Sequence, residues 1–131
     1  MSTRRGLAVA VSLAVLLAFA GPAAAVVERW RIQNGATLER GGIRIYGQAE
    51  CTTGETLEFR ATARQEGVFG LGNGTFTCIN GIVKGSFVIW PDGQSQFHTG
   101  KAAVRASATA DNGDQRTVKK YVNVVDPTDP N

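Results

Sequence analysis

Hydrophobic and polar residues alternate over several stretches of the chain, most clearly in GIRIYGQAEC at residues 42–51. Within this run the odd positions are apolar or small and the even positions are polar. Successive side chains of a β-strand point to opposite faces, so the period of two predicts a strand with one buried face and one solvated face. The same alternation runs through TLEFRATARQ at 56–65 and KAAVRASATA at 101–110. Alanine favours a helix in the last run, but its period favours a strand.

Turn-forming dipeptides separate the alternating runs. Asn-Gly begins at residues 34, 73, 80 and 112, and Asp92-Gly93 follows Pro91. Such pairs suit turns that need positive φ angles, and their close spacing leaves little room for helices. We predict about seven strands, at residues 36–40, 43–51, 55–65, 74–79, 83–90, 101–110 and 115–125. This pattern is typical of an immunoglobulin-like β-sandwich of antiparallel strands, with a small barrel as the alternative.

The first 25 residues have the three parts of a secretory signal peptide. A basic start with Arg4 and Arg5 precedes an apolar run at 7–20, and Ala23 and Ala25 supply the A-x-A pattern of a cleavage site. The apolar run is shorter than the roughly 20 residues of a membrane span. We therefore expect cleavage and a secreted, extracellular protein that has no membrane association. The alternatives are an uncleaved anchor and, because of the arginine pair, twin-arginine export.

Cleavage of residues 1–25 would leave one immunoglobulin-like domain at 26–125 and a short tail at 126–131. Pro127 and Pro130 end any strand, so we expect the tail to be unstructured. Two of the 14 Lys and Arg residues would leave with the signal peptide, so 12 would remain against 11 Asp and Glu. This near balance, with no long basic block, does not support a nucleic-acid partner.

The sequence contains two cysteines, Cys51 and Cys78. Cys51 shares the apolar face of its run with Ile43 and Ile45, and Cys78 has the parity of Phe76, so both sulfur atoms should point inward. In an oxidising compartment this predicts a core disulfide, which would stabilise the fold by roughly 3 to 4 kcal/mol. The alternatives are a reactive thiol or a zinc site, which would need a nearby histidine or further ligands, and the chain has one histidine.

Several segments stand in a distinctive order along the chain. A strand that ends in Cys51 precedes LEFRATARQ at 57–65, GTFTCING at 74–81, a strand that ends in Trp90, and FHTGKAAVRASA at 97–108. This order resembles uncharacterised secreted single-domain proteins of actinobacteria, over residues 43–110. The resemblance implies an immunoglobulin-like sandwich, one disulfide and secretion, and no activity. The chain also resembles the chromophore carriers of the neocarzinostatin family in size, class and origin, but it lacks their expected second cysteine pair.

Few residues suggest a functional site. Trp30, Tyr46 and Trp90 either pack in or beside the core or form a sugar- or protein-binding surface. His98 is a lone histidine beside a turn, and no serine or acid is placed by the sequence to partner it. The run DNGD at 111–114 predicts a hairpin turn more strongly than a cation site. We identify no catalytic residue, no metal ligand and no cofactor.

These features favour a secreted, non-catalytic binding or structural module that acts at the cell surface or in the medium. Its partner would be a protein, an envelope component or a small ligand. One alternative is a carrier of a small apolar ligand, because small inward residues such as Gly47 and Ala61 either leave room for it or allow close packing of the sheets. Another is inhibition of a secreted protease through GVFGLGNG at 67–74. An enzyme is least favoured, because no nucleophile, base and orienting group can be assembled.

Overall fold

The computed structural model describes residues 26–128, where all regular elements are β-strands. The eight strands are β1 (Val27–Ile32), β2 (Gly35–Glu39), β3 (Gly42–Cys51), β4 (Thr56–Gln65), β5 (Val68–Thr77), β6 (Ile82–Pro91), β7 (Gly100–Thr109) and β8 (Gln115–Val125). In this part of the chain no helix is long and apolar enough to cross a membrane. The predicted signal peptide and the last three residues of the predicted tail lie outside the described residues.

Backbone pairing joins the strands into one sheet that closes on itself. Antiparallel pairs link β3 with β2 and β6, β4 with β5 and β7, and β7 with β8. Two short pairings complete the ring, a parallel one between β2 and β8 and an antiparallel one between β5 and β6. The result is a closed barrel of seven strands in the order β3-β2-β8-β7-β4-β5-β6, and the eighth strand, β1, pairs with β3.

The predicted immunoglobulin-like sandwich of about seven antiparallel strands is therefore wrong. A sandwich consists of two separate sheets packed face to face, whereas here each strand of the ring is hydrogen-bonded to both of its neighbours. The described chain also has eight strands, and the pairing of β2 with β8 is parallel. The all-β class and the disulfide are confirmed, because Cys51 at the end of β3 is bonded to Cys78, which follows β5.

Two segments account for most of the difference from the predicted strands. Residues 27–32 form a strand without regular alternation, because the register with β3 shifts between Glu28 and Arg31, and Arg29 has a φ of 49°. The glycine-rich residues 68–77 form β5, which pairs with β4 along its whole length. This segment is therefore a strand, and Asn73-Gly74 lies inside it rather than at a turn.

Two glycines of β5 explain why the ring closes at this strand. A Cβ atom added to Gly70 would lie 2.4 Å from the carbonyl oxygen of Trp90, and one added to Gly72 would lie 2.3 Å from that of Val88. A residue without a side chain lets another backbone approach this closely. The glycines thus bring β5 and β6 within hydrogen-bonding reach.

The barrel interior is filled by aromatic and aliphatic side chains. The ring centroids of Trp30 and Phe59 lie 4.9 Å apart, and those of Phe59 and Phe76 lie 5.4 Å apart. The indole nitrogen of Trp30 donates a 3.0 Å hydrogen bond to the carbonyl oxygen of Ala106. This bond satisfies the one polar atom of the indole, so the whole side chain can be buried.

Small inward residues make room for these rings and not for a ligand. A Cβ atom on Gly47 would lie 2.7 Å from the ring of Trp30, and one on Gly85 would lie 2.8 Å from the ring of Phe76. The space that remains beside these rings is about 10 Å³, which holds at most one water molecule. The interior of the barrel therefore has no room for an apolar cargo.

Candidate functional site

The outer face of β3 and β6 carries a groove with a volume of about 650 Å³. We call it the Tyr46 groove. Its lining comes from β1, the turn that follows β1, and strands β3, β6 and β8; it consists of Arg31, Ile32, Gln33, Asn34, Tyr46, Gly47, Gln48, Lys84, Gly85, Ser86 and Lys120. Sites for small molecules typically enclose about 300 to 1,000 Å³, so the groove has the size of a ligand site.

The strand register explains why polar side chains meet here. Arg31 of β1 and Lys84 of β6 pair with the same residue of β3, Gln48, from its two sides. Neighbouring strands lie about 4.8 Å apart. Arg31, Gln48 and Lys84 therefore form a row across β1, β3 and β6, with the amide of Gln48 between the two cations. Two positions away along β3, Tyr46 pairs with Ser86 of β6 and extends the polar surface by a second row.

Tyr46 is half-buried, and hydrogen bonds hold it in place. Its hydroxyl group shares a hydrogen bond of 3.0 Å with the hydroxyl of Thr37 on β2. Its carbonyl oxygen accepts a 2.8 Å hydrogen bond from the backbone N–H of Gln33. A side chain that is already fixed loses little conformational freedom when a ligand packs against it. Tyr46 is therefore a preformed part of the groove.

Lys120 adds a third cation to the groove from β8. Its Nζ donates a 2.8 Å hydrogen bond to the carbonyl oxygen of Ile32. No lining residue is Asp or Glu, and within residues 26–128 neither Arg31, Lys84 nor Lys120 forms an ion pair. A concave site that carries charges of one sign attracts ligands of the opposite sign. The groove therefore favours an anion.

Arg44 borders the groove and is already paired. Its Nε and Nη2 atoms donate to the two carboxylate oxygens of Glu39 at 2.9 and 3.0 Å, and its Nη1 donates to the hydroxyl of Ser86 at 2.8 Å. The hydrogen bond between the two side chains lowers the pKa of Glu39 and raises the pKa of Arg44. Arg44 thus orients Ser86 at the edge of the groove, while its own charge is balanced by Glu39.

The structure separates the three aromatic residues of the predicted binding surface. Trp30 is buried in the core, Tyr46 lines the groove, and Trp90 is 44% exposed near the end of β6, where it pairs with Leu71. Tyr46 and Trp90 lie on the same outer face, and Trp90 lines a second hollow that it shares with Arg44. Two of the three candidates are therefore brought to one face, whereas Trp30 packs inside the barrel.

The three cations of the groove are not apparent from the sequence. Arg31, Lys84 and Lys120 belong to three different strands and stand 36 or more positions apart in the sequence. The sequence gives one indication of the groove, because Lys84 occupies a polar position in the strand predicted at 83–90. Which strands become neighbours, and in which register, does not follow from alternation alone.

His98 and the DNGD segment have roles in the fold. The buried side chain of Gln65 donates to the carbonyl oxygen of His98 at 2.7 Å and accepts from its backbone N–H at 2.8 Å. The ring of His98 is half-exposed and lies 3.2 Å from the carboxylate of Glu66. Residues 111–114 form the turn between β7 and β8, where Asp114 accepts a 2.9 Å hydrogen bond from the N–H of Val27. In residues 26–128 no three His, Cys, Asp or Glu side chains are grouped to hold a metal ion.

Comparison with known proteins finds no matching family and no matching curated protein. Among solved structures, the chain is similar to one named macromomycin, with a TM-score of 0.41 and 14% sequence identity. The match covers 78% of this chain and 100% of that chain. At this distance the likeness carries no argument about function. The relationship to secreted actinobacterial proteins stays a prediction.

Proposed function

We propose that the protein is a secreted, non-catalytic carrier of a small ligand, which it binds in the Tyr46 groove. The ligand is an anion with several hydroxyl groups, such as a sugar acid or a sugar phosphate. One observation carries this proposal: three cations and no carboxylate surround a fixed aromatic ring in a groove of about 650 Å³. The disulfide supports the extracellular location, because disulfides persist in oxidising compartments.

Each part of the groove suits a part of such a ligand. Arg31 and Lys84 form charge-assisted hydrogen bonds with the acid group, and the planar guanidinium of Arg31 fits the two oxygen atoms of a carboxylate or phosphate. The amide of Gln48, between the two cations, offers a donor and an acceptor to the ligand's hydroxyl groups. The ring of Tyr46 packs against the apolar face of a sugar ring.

The chemistry of the lining supports binding without turnover. The side-chain hydroxyl groups in the groove belong to Tyr46 and Ser86. Ser86 accepts a hydrogen bond from the Arg44 guanidinium at 2.8 Å, and the lining includes no histidine or carboxylate to act as a general base. Histidine and carboxylate side chains are the bases that most often activate a hydroxyl nucleophile. The lining therefore suits recognition, and we assign it no catalytic step.

Isothermal titration calorimetry tests the proposal with glucuronate and glucose 6-phosphate as anionic probes and glucose as the neutral control. We expect the anionic probes to bind, and we expect added salt to weaken their binding. Lys84→Ala should reduce their affinity by about tenfold or more. Arg29→Ala is the matched control, because Arg29 is exposed and pairs with Glu50 outside the groove. Equal affinity for glucose, or an unchanged affinity in Lys84→Ala, would contradict the proposal.

A further inference from the structure

A second basic surface lies on the outer face of β4, β7 and β8, across the ring from β3. Of the six exposed cations on these three neighbouring strands, Arg60 pairs with Glu58 and Arg116 pairs with Asp114. The other four are Arg64, Lys101, Arg105 and Lys119. We call this surface the basic sheet face. Within residues 26–128 none of the four forms an ion pair. Their charges are therefore available to an external anion.

Two of these cations occupy directly opposed positions, because Arg105 of β7 pairs with Lys119 of β8. Like charges opposite each other destabilise a sheet. On the other side of Arg105 the register places Thr62, and the next outward pair along β7 and β8 consists of Ala103 and Tyr121. None of these neighbours carries a negative charge. A bound anion would remove the repulsion that the fold leaves uncompensated.

Aromatic rings hold the other two cations in place. The guanidinium carbon of Arg64 lies 5.5 Å from the ring centroid of Phe69, and the Nζ of Lys101 lies 5.0 Å from that of Tyr121. These cation–π contacts position the charges, and they also cover one face of each ring. Proteins that bind single-stranded nucleic acid stack bases on open ring faces. One face of each ring is thus occupied by a cation, and the fixed charges are the main feature that this surface offers to a polyanion.

The floor between the cations combines polar and apolar side chains. It forms a groove of about 610 Å³ in which Thr62 and Ala103 lie between the charged side chains. In the next outward row the hydroxyl groups of Ser107 and Thr117 lie 2.9 Å apart. Protein interfaces have an apolar, well-packed centre, whereas the apolar side chains here, Phe69, Val104 and Tyr121, are interspersed with cations and a hydroxyl group. Hydroxyl groups among cations suit an acidic polysaccharide, which presents carboxylates and hydroxyls in alternation.

We propose that the basic sheet face binds a linear acidic polysaccharide. Its carboxylates pair with the four cations, and its hydroxyl groups contact the threonine and serine side chains between them. This site is distinct from the Tyr46 groove but borders it at β8, because Lys120 lines both hollows, whereas Arg64, Arg105 and Lys119 line the basic sheet face and not the groove. The protein is thereby held on a polyanionic matrix while the Tyr46 groove stays open to solvent.

Binding of the purified protein to immobilised polygalacturonate, with neutral dextran as reference, tests this inference. We expect salt-sensitive binding to polygalacturonate and none to dextran. Lys119→Glu should weaken this binding at least tenfold, yet its urea unfolding midpoint should rise, because the new carboxylate faces Arg105. A rise in the midpoint excludes misfolding as the cause of the loss.

The matched control is Arg29→Glu, which makes the same change of charge at an exposed residue outside both sites. We expect it to keep its affinity for polygalacturonate, and we expect Lys119→Glu to keep the affinity of the Tyr46 groove for glucuronate, so that failure of one site is distinguishable from failure of the other. An equal loss in both variants would show that net charge alone drives binding and would overturn the inference. Unchanged binding in Lys119→Glu, equal binding to dextran, or tighter binding to single-stranded oligo-dT would also overturn it.

Discussion

At the residue scale, the stability of the fold depends on whether the carboxyl group of Glu55 is protonated. A hydrogen bond that protonated Glu55 makes with the side chain of Asp111, together with burial and the negative charge of that neighbour, raises the pKa of Glu55 above its ordinary value of 4.5. The Oε2 atom of Glu55 is buried without a hydrogen-bond partner. A protonated Glu55 can donate to Asp111, whereas two charged carboxylates repel each other.

This pair predicts a pH dependence with a definite sign. Because the pKa of Glu55 is raised on folding, its contribution to stability is complete below the unfolded pKa and is lost as pH rises through the folded pKa. Glu55→Gln keeps a donor for Asp111 and does not titrate. The stability of the variant relative to the wild type, measured as the difference in their free energies of unfolding, should therefore be greater at about pH 7 than at about pH 4. Urea unfolding at both pH values measures this difference, and a constant difference would contradict the assignment.

Trp30 and Tyr46 show where sequence reasoning succeeds and fails for single residues. Tyr46 lies within a regular alternating run, so its outward position follows from parity. Trp30 lies in a strand whose register shifts between Glu28 and Arg31, and parity cannot be followed through a bulge. The two residues were equal candidates in the sequence, but one lines the groove and the other fills the core.

At the element scale, the contact between β5 and β6 depends on glycine. In Gly72→Ala the new methyl group would lie 2.3 Å from the backbone oxygen of Val88, and two paired strands cannot move apart without loss of hydrogen bonds. We expect this variant to be destabilised by about 2 kcal/mol or more, as measured by urea unfolding. The control is Gly35→Ala, since no atom lies within 4 Å of a Cβ at this position. Equal stability of the two variants would contradict the proposed role of Gly72.

Strands with regular alternation could be predicted, and the closure of the barrel could not. The predicted runs at 43–51, 55–65, 101–110 and 115–125 agree closely with β3, β4, β7 and β8. In β5, by contrast, glycines suggested a loop. Their actual role depends on the backbone of β6, which lies against them only in the folded structure. A close approach between two backbones leaves no pattern in either sequence segment alone.

At the scale of the whole molecule, the disulfide ties the end of β3 to the segment that connects β5 with β6. Cys51 and Cys78 are separated by 27 positions, and closing a loop of this length stabilises a fold by about 3.5 kcal/mol in the chain-entropy model. Backbone hydrogen bonds also join the two segments, from Cys51 to Gly81 and from Gly54 to Cys78. The double variant Cys51→Ala, Cys78→Ala should therefore keep the fold and lose about 3 to 4 kcal/mol in urea unfolding. A loss below about 1 kcal/mol would contradict this role of the disulfide.

The two proposed binding sites arise from the closed arrangement of the strands. A filled interior leaves the outer faces as the surfaces for recognition, and the ring turns the face of β3 and β6 away from that of β4 and β7. The Tyr46 groove combines side chains from β1, β3, β6 and β8. No single segment of the sequence carries it, so it could not be predicted before the neighbours of each strand were known.

The most direct test of the account is a ¹H–¹⁵N NMR titration of the protein with glucuronate. We predict saturable shift changes at residues 31–34, 46–48 and 84–86 and at Lys120, while the indole N–H of Trp30, which reports on the interior, stays unchanged. Changes centred on Trp30 would place the ligand inside the barrel. Changes centred on Arg105 and Lys119, or no saturable change at all, would equally contradict the Tyr46 groove as the ligand site.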